Sequence, residues 1–218
     1  MEPEQEMTDA PNAGGRTYDD GPSGGTGGGR GGALNITRLL TDQLQWHWEN
    51  QARPRLNGLT DDEYFWEPVP DAWNVRPRGT GTAGMQGGSG SFTIDFEYPE
   101  PVPAPVTTIA WRLGHLLVGV LGTRNAAHFG GPAVSYEDFD YPGTAADALE
   151  LLDRYYGSWI RSVAALDEAA LAAPVGEAEG GWAQAPMAEL VLHIHREMIH
   201  HLAEVALLRD LYAHRAAA

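Results

Sequence analysis

The stretch Val191-Leu192-His193-Ile194-His195-Arg196-Glu197-Met198-Ile199-His200-His201-Leu202-Ala203-Glu204 decides how this chain is read. It carries four of the protein's eight histidines and two carboxylates inside one unbroken helical pattern. At about 100° per residue, Val191, Ile194, Met198, Leu202, Val205 and Leu208 mark an apolar stripe that needs a core to face. His201 falls inside the stripe, and Glu197, four residues earlier, lies at its edge. Side chains so spaced stack on one helix face and can point at one common atom. His200 is turned about 100° away from His201, and His195 points elsewhere again. A carboxylate and an imidazole facing a core are costly to bury unless they are paired or bind a metal. Two readings are open at this point: half of a metal site, or a Glu–His hydrogen bond in a helical core.

Working outward, a second polar anomaly lies in Thr107-Thr-Ile-Ala-Trp-Arg-Leu-Gly-His115. A Thr opens this helix at the N-cap, and from Ile109 to Leu121 it is apolar almost all round, as a central buried helix would be. Arg112 and His115 are its strongly polar residues. Gly119 and Gly122 follow His115 at i+4 and i+7, where glycine weakens a helix, so they either leave room beside the imidazole or let another helix pack closely. His115 reads as a third ligand once Glu197 and His201 are set beside it. His128-Phe-Gly-Gly-Pro132 ends this helix, with His128 expected as a capping or surface residue.

Two further helices complete the pattern. One starts at Asn35, with Leu40, Leu44, His47 and Gln51 on one face. His47 reads as a core histidine, and Pro54 should kink or end that helix. Gly58-Leu-Thr-Asp-Asp-Glu63 then looks like a helix stop, a Thr60 N-cap and a capping-box Glu63. The other is capped by Thr144, runs to about Ala164, and carries Leu149, Leu152, Tyr156, Trp159 and Val163 as its stripe. The helix that holds the opening stretch begins near Pro186 and runs past Tyr212. Residues 67–106 break the pattern with many prolines and glycines. Trp73–Arg78 and Phe92–Tyr98 could pair there as short strands. So long an irregular segment usually has a function, and a lid over one end of the helices is the favoured expectation. Residues 1–33 are Gly-rich and acidic with almost no large apolar residue, the composition of a disordered tail. The expected architecture is all-α: a four-helix bundle over residues 34–218, with an irregular insert at 67–106 between the first and second helices.

Composition narrows the function. Hydrophobic residues make up 43% of 218, enough for a core, and the formal net charge is −16. That charge argues against a nucleic-acid backbone or an anionic membrane as partner. There is no Cys, so disulfides, thiolate ligands and a Cys nucleophile are excluded. Any thiol chemistry must come from a bound small molecule. With no signal peptide and no apolar run of spanning length, a cytoplasmic protein is expected.

The segments Thr108–His115 and Arg196–Glu204, with the His-Phe-Gly-Gly-Pro turn and the Leu-Arg-Asp-Leu-Tyr ending, resemble the DinB-like superfamily of four-helix-bundle proteins. Within it they are similar to mycothiol-dependent maleylpyruvate isomerase N-terminal domains. The resemblance covers residues of about 35–213. It implies a metal triad of one His on the second helix and two ligands four apart on the last, which places it on His115, Glu197 and His201. Many members have His where this chain has Glu197, so a His/Glu/His site is implied here. It also implies a divalent metal, zinc first with nickel or iron as alternatives, and a low-molecular-weight thiol as co-substrate in a transfer or isomerisation. No particular substrate is implied, because fold does not fix function.

Two imidazoles and a carboxylate suit such a site independently, since three ligands and an open position are the catalytic arrangement. Arg112 is a candidate for meeting an anionic substrate, and Glu204 and His193 for orienting His201 or accepting a proton. Metal-dependent hydrolysis at the same site and a non-catalytic metal- or small-molecule-binding bundle are the alternatives. A di-iron carboxylate bundle would need a second Glu-x-x-His besides Glu197-x-x-His200, and the chain has none. Such bundles often form homodimers.

Overall fold

A computed structural model describes residues 34–215; the tail expected over residues 1–33 lies outside the described residues. The first helical rod begins with α1 (Ile36–His47), where the Asn35 side chain caps the helix by accepting from the Arg38 amide at 2.8 Å. It continues through a π-helical turn, Trp48–Ala52, into α2 (Arg53–Arg55). Pro54 therefore does not end the rod. The wider π turn sits directly before it, and the Arg53 amide reaches the Trp48 carbonyl five residues back. Such widening relieves the proline ring's clash with the preceding turn.

Thr60 caps the short α3 (Asp61–Tyr64) by accepting from the Glu63 amide. Glu63 does not close a capping box. Its buried carboxylate instead takes Nε and Nη2 of Arg209, at 2.6 and 3.1 Å, from the far end of the chain. A tertiary ion pair has outcompeted the local bond.

The insert contains the paired strands expected, plus one more. Strands β1 (Val75–Pro77) and β3 (Phe92–Phe96) run antiparallel with Val75 opposite Ile94. On the other side of β3 lies β2 (Met85–Gly87), giving the order β1-β3-β2. Three residues, Met-Gln-Gly, carry too little alternation to be seen in sequence. The sheet is not a flap. Val75 and Ile94 are buried in the common core, and Thr108 Oγ1 donates to Asn74 Oδ1 at 2.7 Å. Arg76 and Arg78 serve the insert itself: Arg76 pairs with Glu67 and Asp95, and Arg78 donates to the carbonyls of Gly88 and Gly90.

The second rod is α4 (Ile109–His115), a π-helical segment Leu116–Gly122, and α5 (Thr123–Phe129). Thr108 caps it by accepting from the Trp111 amide, and Gly130 ends it at φ 70°, a conformation that favours glycine. Leu113, Leu116, Leu117, Val118 and Leu121 have no exposed surface, which is the central position their all-round apolarity predicts. Helix α6 (Ala145–Ala164) follows behind its Thr144 cap. The short α7 (Glu168–Ala172) and a 3-10 segment, Glu177–Trp182, then lead to α8 (Met187–Ala213).

The two composite rods each pack against both α6 and α8, so the described residues form a helical bundle with a small three-stranded insert. Val191, Ile194, Met198, Leu202, Val205 and Leu208 are all buried, as the stripe requires. Among the described residues no helix is long and apolar enough to cross a membrane.

Candidate metal centre

His115 closes α4 and projects toward α8, which supplies Glu197 and His201 from consecutive turns of one face. A donor atom from each of the three lies within 4.8 Å of the others. Glu197 Oε2 and His201 Nε2 are 3.4 Å apart, and the His115 and His201 rings meet edge to face with centroids 4.8 Å apart. Two ligands of a tetrahedral cation at ordinary zinc distances are separated by about 3.4 Å. The α8 pair thus already has the spacing of one edge of such a site.

Each imidazole is held at its other nitrogen. His201 Nδ1 lies 2.7 Å from Glu204 Oε2, Arg112 Nε forms an ion pair with that same oxygen at 3.1 Å, and Arg112 Nη1 lies 3.5 Å from His201 Nδ1. Arg112 also lies over the Trp111 ring. Glu204 and Arg112 therefore stand behind His201, paired with one another. Burial lowers the Arg112 pKa, against the opposing charge of Glu204. His115 Nδ1 lies 2.7 Å from Tyr136 Oη, while Trp111 stacks on the His115 ring at 5.6 Å and 15°. Burial, then the nearby charges of His201, Arg112 and Arg124, push His115 down to about 4 despite Glu197. It is a neutral imidazole at pH 7, the form that binds metal.

Glu197, like His115, is partly exposed. His193 Nδ1 and Arg196 Nε lie 3.6 and 3.7 Å from its Oε1, leaving Oε2 toward His201. His200 is exposed and turns to Glu204 Oε1 at 3.4 Å. His200, His201 and Glu204 form a second close group. Arg112 already occupies the Glu204 carboxylate there, so a cation would compete with a guanidinium. In the His115 group the Arg196 guanidinium stands farther off, 3.7 Å from Glu197 Oε1, and leaves Oε2 toward His201, so this group is the better fit.

The remaining histidines are elsewhere. His195 is buried against Trp159, with ring centroids 6.3 Å apart, and bonds the Leu40 backbone. His47 pairs with Gln51 at 2.9 Å. His128 is not a surface residue: its side chain is 5% exposed, and Nε2 lies 2.9 Å from Glu179 Oε1. The loop after α7 folds back over the end of α5, a placement local sequence does not carry.

Tyr136 escaped the sequence reading. Its signal was indirect, in Gly119: a Cβ there would stand 2.1 Å from Tyr136 Oη. The room that glycine leaves beside His115 is filled by this phenol. Gly122 has a packing role instead, facing Val134 and Tyr155.

No match is found among curated proteins or solved structures. The family model of the DinB superfamily matches residues 43–205, a span that holds His115, Glu197 and His201, and the chain belongs to that family.

Proposed function

We propose that this protein is a divalent-metal-dependent enzyme that uses a low-molecular-weight thiol to carry out a transfer or an isomerisation. The observation that carries this reading is the His115/Glu197/His201 group, two imidazoles and one carboxylate converging from two helices with two of the three side chains half-buried. Three protein donors with a remaining open side suit a catalytic cation rather than a structural one. Zinc is the first expectation, and nickel or iron would accept the same donors. A cation held there would supply Lewis-acid activation of a thiol or of water.

The chain's own residues do the rest. His115 and His201 present ring nitrogens, each braced at Nδ1, and Glu197 offers Oε2 while His193 and Arg196 hold its other oxygen. The chain has no Cys, so a thiol must arrive as a second molecule. A cavity of about 610 Å³, lined by Arg124, Trp182, Leu190, His193 and Arg196, lies beside the residues that flank Glu197. That volume is within the range of small-molecule sites.

The test is elemental analysis of untagged protein, followed by a turnover screen of the metal-loaded sample with and without mycothiol, glutathione and related thiols. Near-stoichiometric metal with thiol-dependent turnover is expected. Turnover with water alone would make the protein a hydrolase, and metal without turnover a binding bundle. Absence of metal after dialysis against divalent ions would leave Glu197 and His201 as a core hydrogen bond and end the enzyme reading.

A further inference from the structure

We infer that Tyr136 is a positioning residue for His115, and that the glycine-rich insert exists in large part to hold it there. The inference rests on the metal reading above and concerns how the chain prepares one ligand. A histidine that binds metal through one ring nitrogen carries its proton on the other, and an acceptor at that proton fixes both tautomer and ring orientation. For His201 the acceptor is Glu204. For His115 the corresponding atom is Tyr136 Oη, 2.7 Å from Nδ1. With Nδ1–H donating to the phenol oxygen, Nε2 is left with its lone pair for the cation. The two ligands are thus braced differently, one by a carboxylate and one by a neutral phenol.

Several features of the fold converge on that phenol. Gly119 faces it, and a methyl group there would occupy the hydroxyl's place. The segment that carries it, residues 135–141, is held by the β2–β3 hairpin of the insert. Ser89 donates through its amide to the Phe139 carbonyl at 3.0 Å and through Oγ to the Asp138 carbonyl at 2.7 Å. Gly87 lies so close that a Cβ would stand 2.7 Å from the Tyr136 carbonyl oxygen, and Tyr141 Oη donates to that same oxygen at 3.3 Å. The glycines at 87 and 119 therefore sit on opposite sides of Tyr136, one admitting its backbone and the other its hydroxyl.

The experiment compares wild type, Tyr136→Phe and Gly119→Ala. Zinc affinity is measured by chelator competition, the visible spectrum of each protein is taken with cobalt in place of zinc, and the melting temperature is taken without metal. Loss of an outer partner typically weakens metal binding by roughly 10- to 100-fold. That loss is expected in both variants, with an altered cobalt spectrum and a metal-free melting temperature close to wild type. A side chain that merely filled space would move the melting temperature and leave the spectrum alone. Wild-type affinity in either folded variant overturns the inference while leaving the metal centre intact. A wild-type protein that binds neither zinc nor cobalt overturns the metal reading, and this inference with it. Should Tyr136→Phe fail to fold, Gly119→Ala decides the question, because it leaves the tyrosine in the chain.

Discussion

His200 and His201 are adjacent in the chain and differ mainly in the direction each leaves α8. That difference puts His200 in solvent and His201, 7% exposed, within 3.4 Å of Glu197. Chemistry at the residue scale is therefore decided by an angle of about 100°. Substituting His201→Ala is expected to weaken zinc binding by more than the roughly 10- to 100-fold that an outer partner contributes, and His200→Ala to leave it unchanged. Isothermal titration of the two variants separates them. Equal losses would move the site to the His200/His201/Glu204 group on the neighbouring face. The same angular logic explains why Glu197 and Glu204 have different work although both are four residues or fewer from His201: one approaches Nε2 and the other Nδ1.

Among the elements, α8 is the common wall, touching the first rod, the second rod and α7. Its far end is tied to the turn around α3 by Arg209, which meets Glu63 with two nitrogens and also donates to the carbonyls of Arg55 and Asn57. Glu63 is 5% exposed, so losing its partner leaves a buried charge. Arg209→Ala is expected to destabilise the fold by about 3–5 kcal/mol in urea unfolding. Arg38→Ala, which removes an exposed i,i+4 pair with Asp42, is expected to change stability by under about 0.5 kcal/mol. Similar values for both would show that Glu63 is solvated. The Glu63 reading also marks a limit of local motifs. Thr-x-x-Glu does predict the cap, yet where the carboxylate goes depends on a guanidinium 146 residues away.

For the whole molecule, burial of two imidazoles makes stability depend on pH. His195, enclosed near Trp159, is pushed down to about 4 by burial, although its bond to the Leu40 backbone acts the other way. Above the ordinary value of 6.5 it is neutral both folded and unfolded, and contributes no dependence. Below that value the unfolded chain takes up a proton that the folded chain refuses, so stability falls as pH drops from about 6.5 toward 4. The loss from this one group amounts to roughly 3 kcal/mol at most. His195→Leu is expected to flatten that part of the profile in chemical denaturation at a series of pH values, and parallel profiles would show that the imidazole is hydrated. The helical bundle, its caps at Thr60, Thr108 and Thr144, and the convergence of Glu197 with His201 were all legible in the chain, because helix periodicity and capping act between residues a turn apart. The candidate site acquired His115 through the pairing of one anomalous helix with another. What no local pattern carried was the third strand, the burial of His128 against Glu179, the reach of Arg209 to Glu63 and the phenol of Tyr136 beside His115. Each of these joins groups from different elements, and only the packing of those elements sets the distance between them.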